Sequence, residues 1–320
     1  MPEEFAIQLE NLGKAFGRGR QRVDAVRNVN LGIQTGVVFG FLGPNGAGKT
    51  TTIRMLMDLI RPTSGQAYIF GQDVRRNPGV YKRVGALVKE AAFYDYLTGR
   101  QNLELLARTA RDYRSGRVDY LLNQVGMDDR ADRPVKTYST GMKQRLGIAA
   151  TLLTDPELII LDEPTNGLDP DGIKDMRAFI RSLAEEQGKT VFLSSHQLRE
   201  VERVCDRVAI INQGEVLREG AVSELLGRRS ELRIRAIPIQ DAHAVLSKEW
   251  QVTSDGAWIS VRARPNESPK IIRQLVMFDV DVHEVVVAKQ SLEEYFLTVT
   301  KSNDPTRRES EPLQKEDEDV

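Results

Sequence analysis

The apolar run Val37-Val38-Phe39-Gly40-Phe41-Leu42 breaks abruptly into Gly43-Pro44-Asn45-Gly46-Ala47-Gly48-Lys49-Thr50, and a helix-forming stretch over 51–60 follows. A buried strand, a glycine-rich turn and a new helix, in that order, make a backbone cradle for a phosphate. Gly43, Gly46 and Gly48 let backbone N–H groups converge on an anion without Cβ interference, and the new helix adds its positive end. Lys49 then reaches the β- and γ-phosphates of a nucleotide, and the Thr50 hydroxyl is a ligand for Mg²⁺. Asn45 and Thr51 belong to the same loop-helix unit and are counted with the nucleotide-binding residues.

A chain of 320 residues is long for one domain and comfortable for two, at roughly 100–200 residues per domain. Charged residues make up 28% of it and nearly cancel, to −1, which argues against a protein that neutralises nucleic-acid phosphates. Cys205 stands alone, so no intramolecular disulfide framework exists and a reducing compartment fits. No apolar run approaches the roughly 18 residues of a membrane span, and the start Met1-Pro2-Glu3-Glu4 is unlike a signal peptide. The expectation is a cytoplasmic protein that reaches a membrane only through a partner.

Along the chain, Phe5, Ile7 and Leu9 alternate with polar residues as an edge or half-buried strand, and Val26, Val29, Leu31 and Ile33 suggest another. Between them, Lys14 to Arg20 is turn-rich and carries Phe16. Further short strands are expected at 66–70 and 84–88. Phe93-Tyr94-Asp95-Tyr96-Leu97 follows, a packed loop or a docking surface for another protein, because interfaces favour Tyr and Phe. From 101 to about 153 the spacing is helical, an insertion into an otherwise strand-helix-strand chain. Leu158-Ile159-Ile160-Leu161 then delivers Asp162 and Glu163, and the strand at 190–195 delivers His196. Parallel strands that end in polar residues gather them at one rim of the sheet. There Asp162 can hold Mg²⁺ through water while Glu163 polarises the attacking water.

These motifs together resemble the nucleotide-binding subunit of an ATP-binding-cassette (ABC) transporter. Tyr138-Ser139-Thr140-Gly141-Met142-Lys143-Gln144 is similar to that family's signature sequence, with Thr140 where the family usually has glycine. The resemblance implies that Ser139 and Gly141 embrace the γ-phosphate held by an opposite subunit, and that Asp169, in Asn166-Gly167-Leu168-Asp169, lies at the dimer seam. It also implies that His196 contacts the γ-phosphate and that Phe16 stacks on adenine. Where the family has Gln or Glu after the strand ending at Val88, this chain has Lys89 and then Glu90. Either Glu90 fills the role by a one-residue slip and contacts Mg²⁺, or that contact is missing.

The implied fold is α/β: a P-loop NTPase cassette over 1–226 with a helical subdomain at about 100–153. A polar linker then leads to a small α+β domain, close to ferredoxin-like, over 227–300. Its strand-like segments are 231–237, 257–263 and 280–287, and its helical ones 242–250 and 269–277. Residues 301–320 are charged, with almost no apolar side chains, and are expected to be a disordered tail. Residues 291–297 resemble the closing helix of bacterial drug-exporter ATPases of the ABC-2 type.

The implied function is ATP hydrolysis by an exporter subunit at the cytoplasmic face of the cell membrane. It dimerises, with itself or a related ATPase, around two Mg-ATP, and docks on separate permease subunits near Phe93, Tyr94, Tyr96 and Leu97. Two rivals are a soluble cassette ATPase with a non-transport partner and a nucleotide-gated scaffold. Neither a second cassette nor a long coiled-coil insert is present for the first, and intact Lys49, Asp162, Glu163 and His196 oppose the second.

Overall fold

The computed structural model describes residues 5–89, 91–110, 114–227, 230–263, 265–289 and 291–302. These residues fall into two compact units, Met1–Gly220 and Ala221–Val320.

The first unit runs β1 (Phe5–Phe16), β2 (Val23–Gln34), β3 (Val38–Leu42), α1 (Lys49–Leu56), β4 (Ser64–Ile69), β5 (Gln72–Asp73) and β6 (Val84–Leu87). Three helices follow, α2 (Gly99–Thr109), α3 (Arg117–Gln124) and α4 (Thr140–Thr151). It then alternates through β7 (Leu158–Asp162), α5 (Pro170–Glu185), β8 (Thr190–Ser195), α6 (Leu198–Val204), β9 (Arg207–Asn212) and β10 (Glu215–Ala221). One sheet has the order β2-β1-β4-β5 and the other β10-β9-β3-β8-β7-β6. In the second, β3, β6, β7, β8 and β9 are parallel. β3, β7 and β8 are buried along their whole length, which is why each is a short continuous apolar run rather than an alternating one. Ile7, Val29, Phe39, Phe41, Ile53, Met55, Ile160 and Phe192 share one core, so α1 is fixed against strands of both sheets.

β1 is an interior strand rather than an edge, hydrogen-bonded to β2 and β4. It also continues into the stretch expected to turn as far as Phe16, because Lys14, Ala15 and Phe16 pair with Val26, Asp24 and Val23, and the turn begins at Gly17, whose φ is 73°. Pairing across the sheet carries the strand past Gly13.

The second unit contains α7 (Val222–Gly227), β11 (Ser230–Ile237), α8 (Ile239–Leu246), β12 (Gln251–Asp255), β13 (Trp258–Arg262), α9 (Ser268–Met277), β14 (Asp281–Lys289) and α10 (Leu292–Ser302). Its sheet order is β12-β13-β11-β14 with every neighbour antiparallel, the split βαβ arrangement. Leu232, Ile234, Ile259, Val261, Ile271 and Leu275 form its core. The helix expected at 242–250 begins earlier, at Ile239, with Pro238 as its N-cap in extended backbone. It ends where Ser247 Oγ donates to the His243 carbonyl at 2.6 Å. β12 has only Val252 as an apolar residue and is set by its pairing with β13. A charged tail is expected over 301–320, but α10 continues through Ser302, because Lys301 and Ser302 extend its last turn; residues 303–320 lie outside the described residues. Among the described residues no helix is long and apolar enough to cross a membrane.

Candidate active site

The six-stranded sheet places its working groups at the C-terminal ends of β3, β8, β7 and β6, in that order across the rim. At the end of β3 the loop closes on α1 through Gly48, whose φ is 107°, a conformation that favours glycine. A Cβ on Gly48 would stand 2.6 Å from the Ala25 carbonyl oxygen, and one on Gly43 2.2 Å from that of Ile211. The cradle therefore has no room for side chains at those two positions, and its backbone faces whatever it binds. Asn45 and Gly46 are exposed at its tip, and Thr51 is half-buried in α1 beyond it.

Lys49 is buried to 6% exposure, and its Nζ donates to the carbonyl oxygens of Gly43 at 2.7 Å and Pro44 at 3.2 Å. The same nitrogen is 3.2 Å from Glu163 Oε1. His196 Nδ1 lies 2.8 Å from the other carboxylate oxygen, Oε2. An ionised carboxylate only accepts, so Nδ1–H donates and the opposite edge of the ring stays free. Glu163 adopts φ 54°, and its backbone N–H donates to Ser194 Oγ at 3.1 Å. This uncommon left-handed turn is held at its backbone by Ser194 and at its carboxylate by Lys49 and His196.

Asp162 is 7% exposed. It accepts from Thr50 Oγ1 at 2.9 Å through Oδ2 and from Ser194 Oγ at 2.5 Å through Oδ1. Thr50 and Asp162 thus present hard oxygen atoms side by side, the donor type Mg²⁺ takes. Among the described residues no group of three or more His, Cys, Asp or Glu gathers that could hold a metal. Mg²⁺ is usually held by one or two protein oxygens together with substrate phosphates and water. A cleft of about 600 Å³ opens over this region, lined among others by Thr50, Asp162, Glu163, Asn166 and Lys89.

The family model described as ABC transporter matches residues 26–166. The chain is 40% identical over 298 residues to the bacitracin transport ATP-binding protein BcrA of Bacillus licheniformis, covering 91% of this chain and 96% of that protein. It is 37% identical over 313 residues to the daunorubicin/doxorubicin resistance ATP-binding protein DrrA of Streptomyces peucetius, covering 92% of each. The chain belongs to the ATP-binding proteins of ABC transporters. Among solved structures, a dimeric ATP-binding cassette in a post-hydrolysis state with ADP and Pi superposes with TM-score 0.62 at 28% identity. That match covers 68% of this chain and 98% of the cassette. The protein is accordingly an ATPase on the P-loop α/β cassette fold.

Elsewhere on the cassette unit, Ser139 is the N-cap of α4 and accepts from the Met142 N–H at 3.3 Å. Asp169 caps α5 in the same way, accepting from Gly172 N–H at 2.9 Å. Gly141 approaches Leu168 so closely that a Cβ would meet its Cδ2 at 3.0 Å. Ser139, Gly141 and Asp169 line a cleft of about 520 Å³ that shares only Thr140 and Gly167 with the cleft over Glu163. Phe16 is 46% exposed at the end of β1, with the Lys14 ammonium 5.1 Å from its ring centroid. Lys89 is exposed and lines the Glu163 cleft, whereas Glu90 lies outside the described residues.

Two positioning residues escape a sequence reading. Ser194 ties Asp162 to the backbone of Glu163, and its only signal is a polar residue near the end of an apolar strand. Asn102, 2% exposed, accepts from Tyr94 N–H and donates to the carbonyls of Tyr94 and Thr98. It shapes the aromatic loop from inside α2, where an asparagine is indistinguishable from a surface residue.

Proposed function

We propose that this chain drives export through separate membrane-spanning subunits, hydrolysing ATP in a dimer whose two sites are each completed by the opposite copy. The observation that carries this reading is a pair of separate clefts in one chain: Thr50, Asp162 and Glu163 line one, with Lys49 and His196 in contact with Glu163, and Ser139 and Gly141 line another. A helix start with an exposed serine and a half-buried glycine is an anion seat, and in this reading it serves a γ-phosphate presented by the partner copy. The relatives named for bacitracin transport and for daunorubicin/doxorubicin resistance support an exporter at the cytoplasmic face of the cell membrane.

ATP enters with its phosphates on the Gly43–Gly48 backbone and its adenine on Phe16, with Asn45, Thr51 and the start of α1 around the phosphate chain. Mg²⁺, which Thr50 and (through water) Asp162 would hold, supplies charge neutralisation on the phosphate oxygens. Lys49 exchanges its contact with Glu163 Oε1 for the phosphate, which frees that carboxylate oxygen to accept the proton of the attacking water. His196 keeps Glu163 oriented through Oε2 and turns its free ring edge towards the γ-phosphate. Closure on binding and opening on hydrolysis then follow, because the phosphate itself bridges the two copies. Asp169 lies at the seam, where its cap stiffens the loop that crosses it.

The docking surface for the permease is the loop 93–97. Tyr94 is 52% and Tyr96 72% exposed, with ring centroids 5.8 Å apart, so these rings lie outside the packed core. Phe93 and Leu97 are half-buried beneath them. Phe93, Asp95, Val135, Tyr138 and Lys143 line an adjoining cavity of about 350 Å³. Exposed aromatic anchors over a preformed hollow suit a short helix of a partner chain. Replacing Tyr94 and Tyr96 together by Ala should weaken assembly with the permease by a few kcal/mol, roughly the scale of anchor loss. The melting temperature and basal ATPase activity should stay at the parent values. A pull-down beside a thermal melt decides it: normal binding, or a melt far below the parent, contradicts the docking role.

A further inference from the structure

Between β3, which ends in the phosphate loop, and β7, which ends in the acids, lies β8, and one of its residues touches both acids. Parallel register sets Ser194 beside Phe41 of β3 and beside Asp162 of β7. It is 0% exposed, in a strand buried along its whole length. A hydroxyl costs stability there unless it is hydrogen-bonded, and this one is used in both directions: Oγ donates to Asp162 Oδ1 at 2.5 Å and accepts from the Glu163 N–H at 3.1 Å. A hydroxyl has one proton to give and a carboxylate only accepts, so the direction of the chain is fixed. The Glu163 N–H also donates to the Ser194 carbonyl oxygen at 3.2 Å. The φ of 54° at Glu163 is thus held by the main chain and the side chain of one serine.

The two contacts have different consequences. The torsion that turns a carboxylate about its last bond is broad and roughly two-fold, so the backbone of β7 alone leaves the Asp162 oxygens free to swing. Ser194 takes Oδ1, and Oδ2 then meets the Thr50 hydroxyl at 2.9 Å, where the oxygens suited to Mg²⁺ lie side by side. The contact to Glu163 acts on main chain and fixes the turn from which that carboxylate reaches Lys49 and His196. We infer that Ser194 is a positioning residue that sets the metal ligand and the water-activating carboxylate together, through one hydroxyl with no exposed surface of its own. The inference rests on the nucleotide site proposed above and adds to it the residue that couples its two acids.

The test is ATP affinity of the full chain in EDTA and again in Mg²⁺, by displacement of a fluorescent nucleotide, beside single-turnover hydrolysis of saturating Mg-ATP. Ser194→Ala removes the hydroxyl and adds no bulk. ATP affinity in EDTA should stay at the parent value. The gain in affinity on adding Mg²⁺ should shrink about tenfold and hydrolysis should slow about tenfold or more, the scale on which a residue behind a metal ligand acts. Ser194→Thr keeps the hydroxyl at a strand position that suits a β-branched residue. It should keep most of the gain and most of the rate, and it carries the test alone if the alanine variant does not fold. In Ser194→Ala, an unchanged gain, equal losses of affinity in EDTA and in Mg²⁺, or a loss confined to either the gain or the rate overturns the inference and leaves the nucleotide site standing. So does a threonine variant that loses the gain. A parent protein whose ATP affinity does not rise with Mg²⁺ overturns the metal seat itself and the inference with it.

Discussion

Glu163→Gln should bind Mg-ATP at close to the parent affinity and hydrolyse it slower by about 10²–10⁴-fold, the usual weight of general-base assistance. The amide keeps the size of the side chain. It can still meet Lys49 with its oxygen, as Glu163 Oε1 does at 3.2 Å, and its NH₂ can donate to His196 Nδ1 at the Oε2 position once the ring takes the other neutral tautomer. The structural consequences are therefore small and the chemical one large: a carboxamide takes no proton at neutral pH. Single-turnover hydrolysis beside equilibrium ATP binding separates the two. Turnover near the parent rate would show that another group activates the water. Loss of ATP binding would show that Glu163 holds the loop rather than the water.

Lys49→Ala should act on binding instead. Its ammonium is buried with two backbone carbonyls and one carboxylate, all within reach of the phosphate loop. Removing it deletes the charge that the phosphates meet and leaves Glu163 one partner short. Charged hydrogen bonds contribute roughly 1.5–3 kcal/mol each, so ATP affinity should fall by about 10–100-fold or more. Lys49→Arg should not restore it, because a planar guanidinium cannot occupy a cradle shaped to a compact ammonium. Affinity within threefold of the parent in Lys49→Ala, by calorimetry, would contradict the role given to this residue.

Much of the cassette is legible in the sequence because its local and global signals agree. Buried parallel strands write themselves as short apolar runs, as in Leu158 to Leu161, and Gly43 and Gly48 beside Lys49 are demanded by contacts under 3 Å from a hypothetical Cβ. Gln213 and Gly214, both at positive φ, close a hairpin that the sequence marks plainly. What stays hidden depends on partners far along the chain. β12 carries one apolar residue and exists through β13, and β1 runs past Gly13 to Phe16 because β2 pairs with it. Within the site, the acids and the histidine are visible as strand-end residues. The geometry that binds Lys49, Glu163 and His196 into one chain of contacts, and Ser194 beneath them, needs three strands in register. Lys89 shows the limit from the other side: the sequence leaves its role open, and only the matched exits of β6 and β7 bring it to the cleft that the acids line.

Completion of each site by the opposite copy is most directly tested by sedimentation velocity of Glu163→Gln with saturating Mg-ATP, run beside Glu163→Gln carrying Gly141→Asp. The first should sediment as a dimer with ATP and as a monomer with ADP. The second should bind ATP equally well and remain monomeric, because a carboxylate placed on the start of α4 repels the phosphate presented by the other copy. A Glu163→Gln protein that stays monomeric with ATP bound, or a Gly141→Asp derivative that dimerises as readily, would contradict an active site shared between two chains.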